Sequence, residues 1–204
     1  MAIRLDECAI EVARPEAVVH EHLDRAISAQ RRAHDEAIPA IVEAARLITA
    51  AFEGGHKLLL CGNGGSAADC QHMAAEFVSR LSADRDRRAL PAMALTTDTS
   101  FLTAHANDYD FESVFERQIE AFGEPGDVLI AISTSGSSAN IVRAVKRARL
   151  LGVSVVGLFG AGAPLRDLVH TAIEVQGGTA AATQECFVVV EHAICEVVEE
   201  LLFG

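Results

Sequence analysis

Asp127-Val128-Leu129-Ile130-Ala131-Ile132 runs straight into Ser133-Thr134-Ser135-Gly136-Ser137-Ser138, and the reading of this junction decides the fold. An apolar run without polar alternation reads as a strand buried on both faces. Residues 139–151 then read as helix. Strand, polar loop and helix form the repeating unit of a parallel sheet. Four more short apolar runs share that setting, at residues 57–61, 91–95, 154–159 and 171–175. Helical patterns lie between or after them, at 66–80, 110–122 and 181–202. Together they predict an α/β fold with a parallel sheet covered by helices on both faces. In such sheets ligands bind beyond the carboxyl ends of the strands, where loops lead into helices.

The first fifty residues read mostly as helix. Ile38, Ile41, Val42, Ala45 and Ile48 fall on one helical face. Pro15 marks a helix break or start, and Pro39 starts or kinks the second helical stretch. These helices precede any strand, so they either cover the sheet or pack across a subunit interface. There is no repeat and no low-complexity linker. The whole chain, residues 1–204, reads as one domain, with N-terminal helices over 1–55 and the sheet, loops and last helix over 56–204.

Composition narrows the function classes. The formal net charge is -12, which is unsuited to the phosphate backbone of a nucleic acid or to an anionic membrane surface. A small anion remains within reach of loop amides. The five cysteines, Cys8, Cys61, Cys70, Cys186 and Cys195, form no CxxC pair. Several stand among apolar neighbours, so free thiols in a reducing cytoplasm are expected. The acidic N-terminus does not read as a signal peptide, and no apolar run is long enough to span a membrane.

Two loops carry phosphate-binding chemistry. Gly62-Asn63-Gly64-Gly65-Ser66 lets backbone amides approach an anion, with Ser66 as the expected N-cap of the helix that follows. A glycine-rich turn of this kind equally serves a tight strand-to-helix turn without a ligand. The second loop, residues 133–138, offers five hydroxyls in six residues. Helix capping needs one hydroxyl, so the surplus points to a bound phosphate. Neither loop has the lysine of a Walker motif or the dinucleotide fingerprint.

His72 and Glu76 stand four apart and share a helical face. Gln184 and His192 stand eight apart in the last helix, about 12 Å along its axis. Each pair is also a common helix-surface arrangement, and the sequence alone does not bring the two helices together.

The stretch CGNGGSAADCQHMAAEFVSR, the later LPAMALTTDTSFLTAHANDYDFESVFERQIEAFGEPGDVLIAISTSGSSANIVRAV, and the TQE…EH pattern of the last helix resemble the phosphoheptose isomerases of the SIS (sugar isomerase) superfamily. The resemblance spans nearly the whole chain and is closest between residues 60 and 160. It implies a flavodoxin-like three-layer αβα sandwich, a mostly parallel five-stranded sheet and extra N-terminal helices, assembled as a homotetramer. It implies conversion of sedoheptulose 7-phosphate to D-glycero-D-manno-heptose 7-phosphate. That reaction is the first step of nucleotide-activated heptose biosynthesis, which supplies lipopolysaccharide. It implies zinc, with His72, Glu76, Gln184 and His192 as ligands. It matches Ser133, Thr134, Ser135 and Ser138 to the phosphate cradle. Asn63, Gly64 and Gly65 match a second substrate loop, and Asn107 and Asp108 a further substrate contact; Gln184 and Glu76 also face substrate. Asp69 and Arg80 match positions near the site. Phe187 stands where the family commonly has a histidine.

The reaction this implies moves a proton between adjacent carbons through an enediol. Glu76 is the expected base and His192 its acid–base partner, with zinc as Lewis acid. The alternative is a non-catalytic SIS-domain regulator that binds a replication initiator or senses a sugar phosphate. Relatives of that kind lack the residues matching Glu76 and His192.

Overall fold

The computed structural model describes residues 14–204. Cys8 lies outside the described residues. Five strands form one sheet: β1 (Leu58–Gly62), β2 (Ala92–Ala94), β3 (Val128–Ser133), β4 (Ser154–Gly160) and β5 (Thr171–Val175). Seven α-helices accompany them: α1 (Pro15–Glu36), α2 (Ile38–Glu53), α3 (Gly65–Val78), α4 (Thr99–Asp108), α5 (Val114–Phe122), α6 (Ala139–Leu150) and α7 (Ala180–Phe203). The strand order is β2-β1-β3-β4-β5, and every pairing is parallel. The α/β three-layer reading therefore holds, with a sheet that is parallel throughout.

Alternation along the strands divides the core in two. Leu58, Leu60, Val128, Ile130, Val156 and Leu158 face one layer, where α2, α3 and α7 contribute Ile48, Phe52, Met73, Phe77, Phe187 and Val190. Leu59, Cys61, Leu129, Ala131, Val155 and Phe159 face the other, against Phe115 and Ile119 of α5 and Ile141 and Val145 of α6. Each fully buried side chain of this size contributes about 1.5–3 kcal/mol by leaving water. With both faces covered, the strands need no polar alternation, which is why β1 and β3 are buried throughout and apolar up to the Ser133 that ends β3.

The topology fixes where a ligand can sit. From β1 the chain crosses through α3 to β2 on one side, and from β3 through α6 to β4 on the other. The loops after β1 and β3 are thus neighbours at the switch point of the strand order, where the strand ends open a crevice.

Of the alternatives left open by periodicity, covering the sheet is the one observed, and it is met by α2. α2 covers the sheet with Ile41, Ala44, Ala45 and Ile48. α1 begins at Pro15 and rests on α7 through Ala29 and Ala33. It leaves Val18, Val19, Leu23 and Ile27 exposed.

Three local expectations need correction. The helix expected over 110–122 opens with a 3-10 turn at Phe111–Ser113 before α5. The Asp110 carboxylate accepts from the Ser113 amide, and this tight turn precedes the regular helix. Helix α4 and the 3-10 turn Pro164–Leu168 were not expected from the sequence. Cys61, Cys70, Cys186 and Cys195 are free and buried, as expected. Among the described residues, no helix is long and apolar enough to cross a membrane.

Candidate active site

The loop after β3 carries the hydroxyl-rich segment to the start of α6. Gly136 makes its bend at φ +58°, and Ala163 occupies the space a Cβ there would need. Around that bend the Ser133 Oγ accepts from the Gly136 amide at 3.1 Å, and the Ser135 Oγ accepts from the Ser137 amide at 3.3 Å. Ser138 sits at the N-cap of α6, yet its hydroxyl makes no capping bond. That hydroxyl and the unpaired amides of the first turn of α6 remain available to an anion.

The loop after β1 meets this segment side by side. Asn63 and Asn140 exchange reciprocal side-chain hydrogen bonds of 2.9 and 2.8 Å, tying the two loops together. Sequence reasoning missed Asn140; an amide two residues after the serine run was its only signal. Ser66 is not the N-cap expected for α3. Gly64, at φ +57°, starts the helix two residues earlier, because only glycine takes that conformation without strain. Ser66 instead turns inward and is buried.

Asn63, Ser66, Ser133, Thr134, Ser135 and Ser138 line a cavity of about 70 Å³. One water needs about 10–15 Å³ by this kind of measure, so the cavity suits a group of several heavy atoms such as a phosphate. Thr134 and Ser135 also border a wider cleft of about 440 Å³, which continues past Gly160 to Gly177, Gly178 and Thr179.

Helices α3 and α7 lie on the same face of the sheet and pack on each other. Their contact joins the two residue pairs that sequence left apart. His72 Nε2 lies 2.7 Å from His192 Nε2. His72 Nδ1 lies 3.7 Å from Glu76 Oε1. One ligand atom from each of His72, Glu76 and His192 falls within 4.8 Å of the others. Two imidazole nitrogens and a carboxylate oxygen are a donor set suited to zinc. All three side chains are at least partly open to solvent, which leaves room for a further ligand.

Gln184, on the first half of α7, donates from Nε2 to Asp69 Oδ1 at 2.6 Å and lies against Gly65. This bond orients the amide and leaves its oxygen free to accept or ligate. Asp69 is buried on α3, and burial raises its carboxyl above the usual range, against the opposing pull of Gln184 and His72. Its Oδ2 has no hydrogen-bond partner among the described residues. Beside His192, Glu191 is fully buried with both carboxylate oxygens unpartnered. Burial, with Asp69 adding, pushes its carboxyl up to about 9.

Other residues named from the sequence lie apart. Asn107 and Asp108 end α4, bond to each other at 2.9 Å, and are exposed. They do not line the phosphate-sized cavity. Arg80, just past α3, is exposed and donates only a long 3.4 Å bond to the Ala83 carbonyl. Phe187, the departure from the family pattern, is fully buried and packs in the core.

The SIS domain family model matches residues 21–160. A phosphoheptose isomerase of Roseiflexus sp. is 50% identical over 186 residues, covering 91% of this chain and 93% of the relative. The chain belongs to the phosphoheptose isomerases, within the SIS domain family. Solved phosphoheptose isomerases carry the likeness into three dimensions. The protein from Neisseria gonorrhoeae superposes with a TM-score of 0.86 at 38% identity, covering 92% of this chain and 100% of that one. The one from Francisella tularensis gives 0.87 at 31% identity over the same shares.

Proposed function

We propose that this chain interconverts sedoheptulose 7-phosphate and D-glycero-D-manno-heptose 7-phosphate, and so opens nucleotide-activated heptose biosynthesis, including the supply for lipopolysaccharide. The observation that carries the proposal is the convergence of His72, Glu76 and His192 within 4.8 Å on the two helices beside the phosphate loops. A regulator that only senses a sugar phosphate needs the loops but not this trio.

The chemistry follows from where the side chains stand. The hydroxyls of Thr134, Ser135 and Ser138 and the first amides of α6 hold the phosphate at C7. Anchoring the far end of a seven-carbon chain fixes C1 and C2 for reaction, and this positioning removes entropy before the proton moves. Glu76 is the base that takes the carbon-bound proton and returns it to the adjacent carbon. His192 gives and takes the proton on the oxygens. His72, Glu76 and His192 would hold a zinc ion, joined by the amide oxygen of Gln184. When bound, zinc supplies Lewis acidity that polarises the paired oxygens of the substrate. Glu76 would then serve as both ligand and base, which requires a hold on the metal loose enough for the carboxylate to reach the carbon.

We also assign a homotetramer. The outer stripe of α1, with Val18, Val19, Leu23 and Ile27 between 47% and 57% exposed, supports it. Asn107 and Asp108, exposed at the end of α4, are assigned as a further substrate contact. The buried free thiols support a reducing cytoplasm. Metal analysis of the purified protein, with activity read before and after chelation, tests the zinc assignment. Zinc should be found and its removal should lower the rate; a metal-free enzyme at full rate would overturn the assignment.

A further inference from the structure

Arg87 lies in the segment between α3 and β2, inside the charged run Asp84-Arg85-Asp86-Arg87-Arg88. Its side chain is nonetheless only 1% exposed. Nε donates to Glu199 Oε1 at 2.6 Å. Nη2 donates to the backbone carbonyl of Glu76 at 2.7 Å, and Nη1 to that of Phe77 at 2.9 Å and of Arg88 at 3.0 Å. The carbonyls of Glu76 and Phe77 belong to the last turn of α3, where they lack amide partners within the helix. No basic residue stands in that turn to complement the helix end. The guanidinium meets both needs from outside.

Glu199 lies on α7, seven residues beyond His192 and so on nearly the same helical face. One rigid, planar group therefore spans from the backbone of Glu76 to the helix that carries His192. At the opposite end of the same two helices, Gln184 bonds Asp69 at 2.6 Å. His72, Glu76 and His192 fall between these two ties. Buried ion pairs add little to stability over apolar replacements but can fix one arrangement.

We propose that Arg87, held by Glu199, is a positioning residue that sets Glu76 against His192 and thereby tunes the metal site and the proton transfer. The inference rests on the isomerase reading above. Lysine cannot substitute, because a single ammonium on a flexible stem does not provide a planar fork.

The test compares the parent with R87M/E199L and with R87K. The double variant removes both charges together, so neither is left buried without its partner. R87K keeps a charge opposite Glu199 and loses the fork on the two carbonyls, so it supplies the reading if the double variant fails to fold. Zinc affinity, measured by competition with a chromophoric chelator, should fall about 10–100-fold. The kcat should fall while KM for the sugar phosphate stays near the parent value, because the phosphate loops are untouched. In metal-free protein, the imidazole nitrogen signals of His72 and His192 should shift, since their 2.7 Å contact is disturbed. A folded variant with parental zinc affinity, kcat and imidazole signals overturns the proposal. A parent that neither binds zinc nor isomerises would sink the functional reading instead, and the imidazole signals would still decide the role of Arg87.

Discussion

Replacing Gly136 with alanine should separate the phosphate loop from the metal trio. At φ +58° an alanine is left-handed, which costs about 1–2 kcal/mol. Its new methyl would stand 2.3 Å from the Ala163 Cβ, well inside the roughly 3.5–4.0 Å of a normal carbon contact. Relieving such overpacking adds about 1–3 kcal/mol, so the total is roughly 2–5 kcal/mol. For a chain of this size, each kcal/mol lowers Tm by about 2–4 °C. Gly162 supplies the control. It has φ +77° but nothing within 4 Å of an added methyl, so Gly162→Ala should carry the conformational strain alone. Urea unfolding should place Gly136→Ala below Gly162→Ala in stability. Steady-state kinetics should show a raised KM with a smaller change in kcat, because the loop moves and α3 and α7 do not. Equal stabilities for the two variants, together with a parental KM for Gly136→Ala, would refute the reasoning.

Two further outcomes are expected. Glu76→Gln should reduce kcat by about 10²–10⁴-fold, the usual contribution of a general base, while inorganic phosphate still protects the loop from exchange; a kcat within twofold of the parent would remove Glu76 from the base role. Glu191 gives a pH dependence of stability. Burial raises its carboxyl from 4.5 to about 9, so the folded state keeps a proton that the unfolded state releases. The associated stability is complete below pH 4.5 and is lost as pH rises toward about 9, with a slope of up to about 1.4 kcal/mol per unit. Glu191→Gln has no proton to lose and should flatten that slope in denaturation of chelator-treated protein, whereas identical slopes would contradict it.

The sheet was legible because its inner strands β1, β3 and β4 are buried on both faces almost throughout. Apolar runs such as 127–132 and 154–159 stand out against helical neighbours, and each lies within a residue or two of an observed strand. Helix α4 was not legible because it buries no residue and so shows no apolar stripe. Its one local signal was Asp98, whose carboxylate accepts from the Phe101 amide as an N-cap. The chemical types of the site residues could be read from the motifs. Their convergence could not, because it depends on α3 and α7 sharing a face of the sheet. Arg87 was hidden for a related reason: a run of charges reads as solvated surface, and only tertiary structure shows one member buried against two helices.

Incubation of the purified protein with sedoheptulose 7-phosphate, followed by NMR, tests the central claim most directly. The account predicts that signals of D-glycero-D-manno-heptose 7-phosphate grow in, and that in deuterated water one carbon-bound position incorporates deuterium through the enediol. An unchanged substrate spectrum with zinc-loaded, folded protein would contradict it.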